Sequence, residues 1–385
     1  MKKIYLDMQP TWKNKTGIGW YTYNIALNLL NNKQKYNIRG GFFNPFGIEK
    51  KIEKIEGLNY KEIKYFWPYY NYAGFFSKKL FKWKYVNFNK ITNTNHDIYH
   101  FFNFTIPHNI QGKVVVTIHD IIYKMMPETV SFDKEWFHKE IEYSLNRGDA
   151  IITVSNSAKN DILKNFDINN SSKIKVVEPG INLKDYKKIY NKIELNFFRK
   201  KLKLDDKSEI LLYLGTVEKR KNVLNIIKAF NIYKAKYKNK KAELVIVGKP
   251  GLEYNQILEE YNKSPYKDNI KLLGYITEEE KMKLYKIASI FLFPSLYEGF
   301  GMPVIEAMAA GVPVVTSNTS SLPEAAGNAG ILINPSSVDE LFLSIEILLS
   351  NKNLRTKLIE EGYRHVQNFT WEISAKKIQQ IYDEL

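Results

Sequence analysis

The 385-residue chain contains no cysteine. No disulfide can staple it, no thiolate can ligate a metal, and no thiol can act as a nucleophile. A reducing cytoplasm is compatible with that lack but does not follow from it, since periplasmic proteins also do without cysteine. Long apolar runs are missing too: no stretch of about 18 apolar residues occurs, so no segment reads as a membrane-spanning helix. The opening residues, MKKIYLDMQP, hold two lysines but few apolar residues before Asp7. A signal peptide needs a longer apolar stretch, and these residues read instead as the first strand of the fold. Acidic residues are in deficit, with 41 Asp and Glu against 57 Lys and Arg and a net charge of +16. Such an excess asks for an anionic partner, whether nucleic acid, a membrane surface or a phosphorylated substrate, unless it only reflects a bias toward Lys, Asn, Ile and Tyr. Several reaction signatures are also absent: no G-x-S-x-G elbow, no Walker A loop, no H-E-x-x-H and no Asp-x-Asp pair that would hold a metal.

What is present is ordinary globular material, 44% apolar and 25% charged, in a chain longer than one hydrophobic core usually supports. Short apolar runs alternate with helical patterns, which predicts parallel sheets covered by helices. In the first half the strands are KIYLDM, IRGGFF, DIYHFF, KVVVTIHD and AIITVS; after a break near residues 176–188, marked by Pro179-Gly180, come ILLYLG, ELVIVG, NIKLLG, IFLFPS, VPVVTS and GILINP. One helix opens on TEEE, with Thr277 as N-cap and Glu280 closing a capping box. The expected architecture is α/β, two doubly wound domains in tandem with a ligand cleft between them. The expected boundaries are 1–185 and 186–370, with 371–385 a helix returning to the N-terminal domain.

In such sheets ligands sit on loops beyond the carboxyl ends of strands. The segment SLYEGFGMPVIEAMAAGVPVVTS, residues 295–317, reads as turn, helix and strand, with Pro303 at the first helical position and Gly311 as the stop. Gly299 and Gly301 let the backbone approach a ligand, and a helix mouth favours an anion such as phosphate. Glu298 and Glu306 flank that mouth and suit sugar hydroxyls, unless both only cap the helix or face solvent. Arg220 and Lys221, in GTVEKRKN, stand before another helix and suit a diphosphate. TGIGWYTYNI opens a helix through Gly17 and Gly19; it lacks the last glycine of a dinucleotide loop and reads as a backbone approach to phosphate or as a plain tight turn. His119 ends a strand beside Asp120, a place where a histidine is more often structural than catalytic.

Taken together these residues resemble glycosyltransferase family 4. Glu298-Gly-Phe-Gly-Met-Pro-Val-Ile-Glu306 is similar to that family's E-x7-E signature, and TGIGWYTYNI, TIHD with MPE, and GTVEKRKN match its other landmarks in order. The resemblance implies a GT-B fold, two Rossmann-like domains facing a central cleft, and sugar transfer from a nucleotide-sugar with retention of configuration. It implies Glu298 on the donor sugar, Glu306 on the ribose, backbone N–H groups of Phe300, Gly301 and Met302 around sugar and phosphate, and Lys221 on the diphosphate. Gly17 and Gly19 would let the N-terminal loop close, and His119 would touch the sugar near its 6-hydroxyl. Many members carry Gly-Arg where this chain has Gly215-Thr216, which leaves open whether Arg220 replaces that cation. The mechanism implied is front-face and metal-independent, with no cofactor. The general look resembles bacterial mannosyltransferases of surface polysaccharide assembly and favours GDP-mannose over UDP-glucose or a UDP-N-acetylhexosamine.

Residues 60–90 interleave aromatics with lysines, which suits an anionic lipid surface and a glycan or lipid-linked acceptor, or else a core with a solvated basic face. The expected location is cytoplasmic, peripheral on the inner face of the membrane. A single-stranded nucleic-acid binder would also combine charge with rings, but the cations are spread along the chain and no nucleic-acid module appears. Within the fold, an epimerase or a phosphorylase is the nearer rival.

Overall fold

The computed structural model describes residues 1–11, 17–32, 35–44, 55–63, 87–238 and 240–385. The aromatic and lysine-rich stretch lies largely outside the described residues. The chain divides into two units, Met1–Gly180 with Trp371–Leu385, and Ile181–Thr370.

The first unit is built on β1 (Lys2–Asp7), β2 (Tyr36–Phe43), β3 (Asn59–Ile63), β4 (Ile98–Phe101), β5 (Lys113–Thr117), β6 (Ala150–Thr153) and β7 (Ile174–Val176). They pair in the order β3-β2-β1-β4-β5-β6-β7, every pair parallel, with Leu6 opposite both Gly40 and His100. Helices cover both faces of a parallel sheet, which is why β4 and β6 read as continuous buried runs and not as an alternation. The helix Trp371–Glu384 packs on the helix Gly17–Leu29, with the rings of Tyr21 and Trp371 5.8 Å apart.

The second unit holds β8 (Glu209–Leu214), β9 (Ala242–Val247), β10 (Ile270–Gly274), β11 (Ile290–Phe293), β12 (Val314–Ser317) and β13 (Gly330–Ile333). Their order is β10-β9-β8-β11-β12-β13, again all parallel. The strands therefore progress outward in one direction from β8 and in the other from β11. The space between the ends of β8 and β11 is the switch point, and it fixes where a crevice can open in this unit.

All the strands expected from apolar runs are present. β3 and β7 were not anticipated, and both lie at sheet edges. NYKEI is polar along most of its length and β7 has three residues, so neither carries the apolar run that marks a covered strand. The capping box forms as expected: the Glu280 amide donates to Thr277 Oγ1 at 3.2 Å, and the Thr277 amide donates to Glu280 Oε2 at 3.0 Å. Among the described residues no helix is long and apolar enough to cross a membrane.

Candidate functional site

The loops after β8 and β11 meet at the switch point of the second unit. Their backbones are joined directly, the Leu296 amide donating to the Arg220 carbonyl at 2.8 Å. Lys219–Lys221 form a single 3-10 turn that ends at Asn222, in the left-handed conformation at φ 60°. Asn222 does not use its side chain to cap the helix Val223–Lys236 that follows. Its Nδ2 donates instead to the carbonyls of Pro294 and Pro335, at 3.1 and 2.6 Å. One buried amide thus ties the loop after β8 to those after β11 and β13, and holds Arg220 and Lys221 in place.

These ties bring Glu298 against both cations. Lys221 Nζ lies 2.5 Å from Glu298 Oε1, and Arg220 Nη1 lies 3.1 Å from Oε2. The guanidinium also pairs with Glu218 at 2.7 Å and donates to the Tyr297 carbonyl at 2.9 Å. Lys221 sits over the Phe293 ring, 5.2 Å from its centre. The Glu298 and Lys221 side chains are only 11% and 12% exposed. Burial by itself would raise the Glu298 carboxyl, but Lys221 and Arg220 outweigh it and hold the group below its ordinary value. Burial, helped by repulsion from Arg220, outweighs the attraction of Glu298 and Glu218 and leaves the Lys221 ammonium below the usual lysine range. The result is a desolvated carboxylate held by two cations at a strand-end crevice, neither a helix cap nor a solvent-facing residue.

The turn that carries Glu298 is braced from the next connection. The Glu298 amide donates to Ser320 Oγ at 3.1 Å, and the Ser321 hydroxyl lies 2.9 Å from the carbonyls of both Glu298 and Phe300. The helix runs Met302–Ala309, so Pro303 occupies its second position and not the first. Gly301 stands at φ +110°, and a Cβ there would lie 2.7 Å from Leu322 Cδ2. That glycine is demanded by backbone and packing at the helix mouth. Phe300 is buried, its ring 5.4 Å from Phe369, so only its backbone is available to a ligand. Gly311 ends the helix at φ +80°, as expected.

Glu306 keeps a separate set of partners. Tyr285 donates its hydroxyl to Oε2 at 3.1 Å, and Lys281 lies 3.5 Å from the same oxygen. Burial would lower Lys281, but Glu306 and Glu278 hold it above its ordinary value.

His119, Gly17 and Gly19 belong to the first unit. Gly17 and Gly19 stand at the first and third positions of the helix Gly17–Leu29, and a Cβ on Gly17 would meet open space. The same helix places Tyr21 edge-on to His119, ring centres 5.0 Å apart, and Phe104 packs on the imidazole at 5.6 Å. His119 Nε2 lies 2.9 Å from the Phe102 carbonyl. That nitrogen must carry the proton, which leaves Nδ1 as an acceptor in the neutral ring. Burial pushes the group down to about 4, so it is neutral at pH 7.

Sequence reasoning singled out Glu298, Arg220 and Lys221 but not the residues that position them. Asn222 carried the signal of a plain helix cap. Ser320, Ser321 and Tyr285 carried no distinguishing signal, because each becomes informative only through a partner more than 20 positions away, and Glu218 gains its place only once its neighbour Arg220 is drawn to Glu298.

Comparison with known proteins bears on the family of the chain. A family model described as Glycosyl transferases group 1 matches residues 195–365, and one described as Glycosyltransferase Family 4 matches residues 17–185. The chain is 31% identical over 276 residues to the O-antigen chain mannosyltransferase B of Escherichia coli, covering 71% of each protein. It is 27% identical over 274 residues to a serotype-specific mannosyltransferase, WbdA, of the same species; that match takes 69% of this chain but 33% of the relative. In three dimensions it is similar to Anabaena HepE in complex with UDP and glucose, at a TM-score of 0.74 with 15% identity and 100% of both chains covered.

Proposed function

The chain belongs to glycosyltransferase family 4 and has the two parallel α/β domains of the GT-B fold. From this premise we propose that it moves mannose from GDP-mannose to a hydroxyl of a glycan or lipid-linked oligosaccharide in the synthesis of a cell-surface polysaccharide. The observation that carries the reading is the grip of Lys221 and Arg220 on Glu298 at the switch point of the second unit. Two cations at such a place are suited to a diphosphate, and a carboxylate beside them is suited to the hydroxyls of the attached sugar. The names of the two Escherichia coli relatives support mannose as the sugar.

On this reading the donor diphosphate competes with Glu298 for Lys221 and Arg220. As it does so the carboxylate oxygens become acceptors for the sugar hydroxyls. Glu306 takes the ribose, and backbone N–H groups of Phe300, Gly301 and Met302 face the sugar and phosphate at the helix mouth. Gly17 and Gly19 add no side chain to the first turn of their helix that would keep a phosphate away. Neutral His119 offers Nδ1 as an acceptor to a sugar hydroxyl near C6. The bond from the anomeric carbon to the diphosphate breaks, and the acceptor oxygen bonds that carbon on the same face. The departing phosphate oxygen takes the acceptor's proton, and configuration is retained because attack and departure share one face. Because Arg220 and Lys221 meet the charge developing on the leaving group, no metal is required. Catalysis is then largely electrostatic and positional.

Calorimetric titration with GDP and with UDP, each with and without magnesium, tests the reading. GDP is expected to bind, equally with and without the metal, and UDP far more weakly. Binding of UDP alone would move the donor to UDP-glucose or a UDP-N-acetylhexosamine, and binding of neither would remove the donor site.

A further inference from the structure

The three most exposed aliphatic or aromatic side chains within one short stretch of the second unit are Ile189, Ile193 and Phe197, at 91%, 83% and 72%. They recur every fourth residue. Ile193 and Phe197 are the second and sixth residues of the helix Lys192–Lys201, whose N-cap, Asn191, accepts from the Glu194 amide at 2.8 Å. Residues four apart lie one above the other on a helix face, and Ile189 extends the row ahead of the cap.

The opposite face is anchored. Phe198 is buried, and Arg199 donates to the carbonyls of Asp205, Ser208 and Ile287 at 3.0, 3.2 and 3.3 Å. Lys283 pairs with Glu194 at 3.0 Å and covers the rings of Tyr190 and Phe198. The helix therefore cannot roll to hide its apolar row without breaking these contacts. Around the row stand exposed Lys187, Lys188, Lys192 and Lys200, which outnumber the exposed Asp185, while Lys201 is paired with Glu280 at 2.8 Å. The carboxylate on the helix, Glu194, pairs with Lys283, which it shares with Glu279.

We propose that this face, Ile189, Ile193 and Phe197 ringed by lysines, docks on an anionic lipid bilayer, with the three side chains in the acyl boundary and the ammonium groups among the headgroups. An apolar row fixed outward is costly in water and suited to a bilayer interface. The lysine ring selects the occupant: it would repel a second copy of the same face, in a chain already at +16, and it complements negative lipid. This surface is independent of the transfer chemistry, because the binding it predicts needs neither donor nor acceptor sugar.

The test is flotation of the full chain with vesicles of phosphatidylcholine alone and with about one third phosphatidylglycerol added. The wild type is expected to float with the anionic vesicles and hardly at all with the neutral ones. The double variant Ile193→Ser, Phe197→Ser is expected to lose at least tenfold in partitioning, since each side chain withdrawn from the interface costs roughly that factor. Lys192→Gln with Lys200→Gln should bind more weakly and with less sensitivity to salt. As a readout that leaves the apolar row intact, Phe197→Trp should shift its emission to shorter wavelength on anionic vesicles and keep its aqueous spectrum without them. Wild-type chain that stays at the bottom of the gradient, a serine variant that floats undiminished, or an unshifted tryptophan would overturn the assignment. So would a dimer by sedimentation that the serine variant abolishes, since that would make a second copy the occupant.

Discussion

Glu298 shares its two oxygens between Lys221 and Arg220 in a setting where each of the three charges would be expensive alone. Different substitutions therefore separate its roles. Lys221→Ala should lower kcat/KM by ~10²-fold or more, the usual cost of losing one donor that meets developing charge; near-wild-type turnover would remove Lys221 from the scheme. Glu298→Gln should behave in two opposite ways. Turnover falls because the sugar hydroxyls lose a charged acceptor, while GDP without its sugar binds more tightly because the two cations are no longer neutralised within the protein. Calorimetry with GDP reads the second effect by itself, and unchanged or weaker GDP affinity in Glu298→Gln would contradict the competition between diphosphate and carboxylate.

At the scale of elements, the helix Met302–Ala309 depends on how its mouth is made. Gly301 combines a positive φ of +110° with a Cβ direction blocked by Leu322. Gly301→Ala is expected to destabilise the protein by about 1–3 kcal/mol from backbone strain, with some further loss from the clash, measured as a shift in the urea midpoint. GDP binding should weaken in parallel, because the N–H groups of the mouth would be displaced; a stable variant with wild-type GDP affinity would separate the turn from the site. This element was largely legible in the sequence, since glycines and proline mark its beginning and Gly311 its end. Its register was misread by one position at Pro303, because a proline is tolerated equally well in either of the first two helical places, where no N–H bond is lost.

At the scale of the whole molecule, the chain leaves its first unit at Gly180 and returns to it at Trp371. His100 is one of the fasteners of that return. On β4 and fully buried, it bonds Tyr382 of the returning helix at 2.6 Å and Thr117 of β5 at 2.9 Å. Burial pushes its imidazole down to about 3, against about 6.5 in an unfolded chain. Between those values the unfolded state binds the extra proton, so the stability tied to neutral His100 is complete above about pH 6.5 and drains away as the pH falls toward 3. Urea unfolding at pH 7 and pH 4.5 should show this loss. In His100→Gln the pH 7 stability should be lower, through the broken hydrogen bonds, but the difference between the two pH values should shrink. An undiminished difference would assign the acid sensitivity to His96 and His119, which burial also holds down to about 4.

Local sequence determined the alternation of apolar strands and amphipathic helices, the break between two units, the glycine turn before Met302 and the cations before Val223. Each of these rests on residues near one another in the chain, whose propensities and turn requirements act without knowledge of the rest. The tertiary structure decided which of them meet. Lys221 and Glu298 are 77 positions apart, and they pair because β8 and β11 are neighbours at a switch point, an outcome of strand order that no local run encodes. The same holds for Glu306, whose partner Tyr285 is 21 positions away. Ile193 and Phe197 make the point in reverse. Their spacing specifies one apolar face of a helix, but only the packing of Phe198 and the bonds of Arg199 on the other side leave that face turned toward solvent.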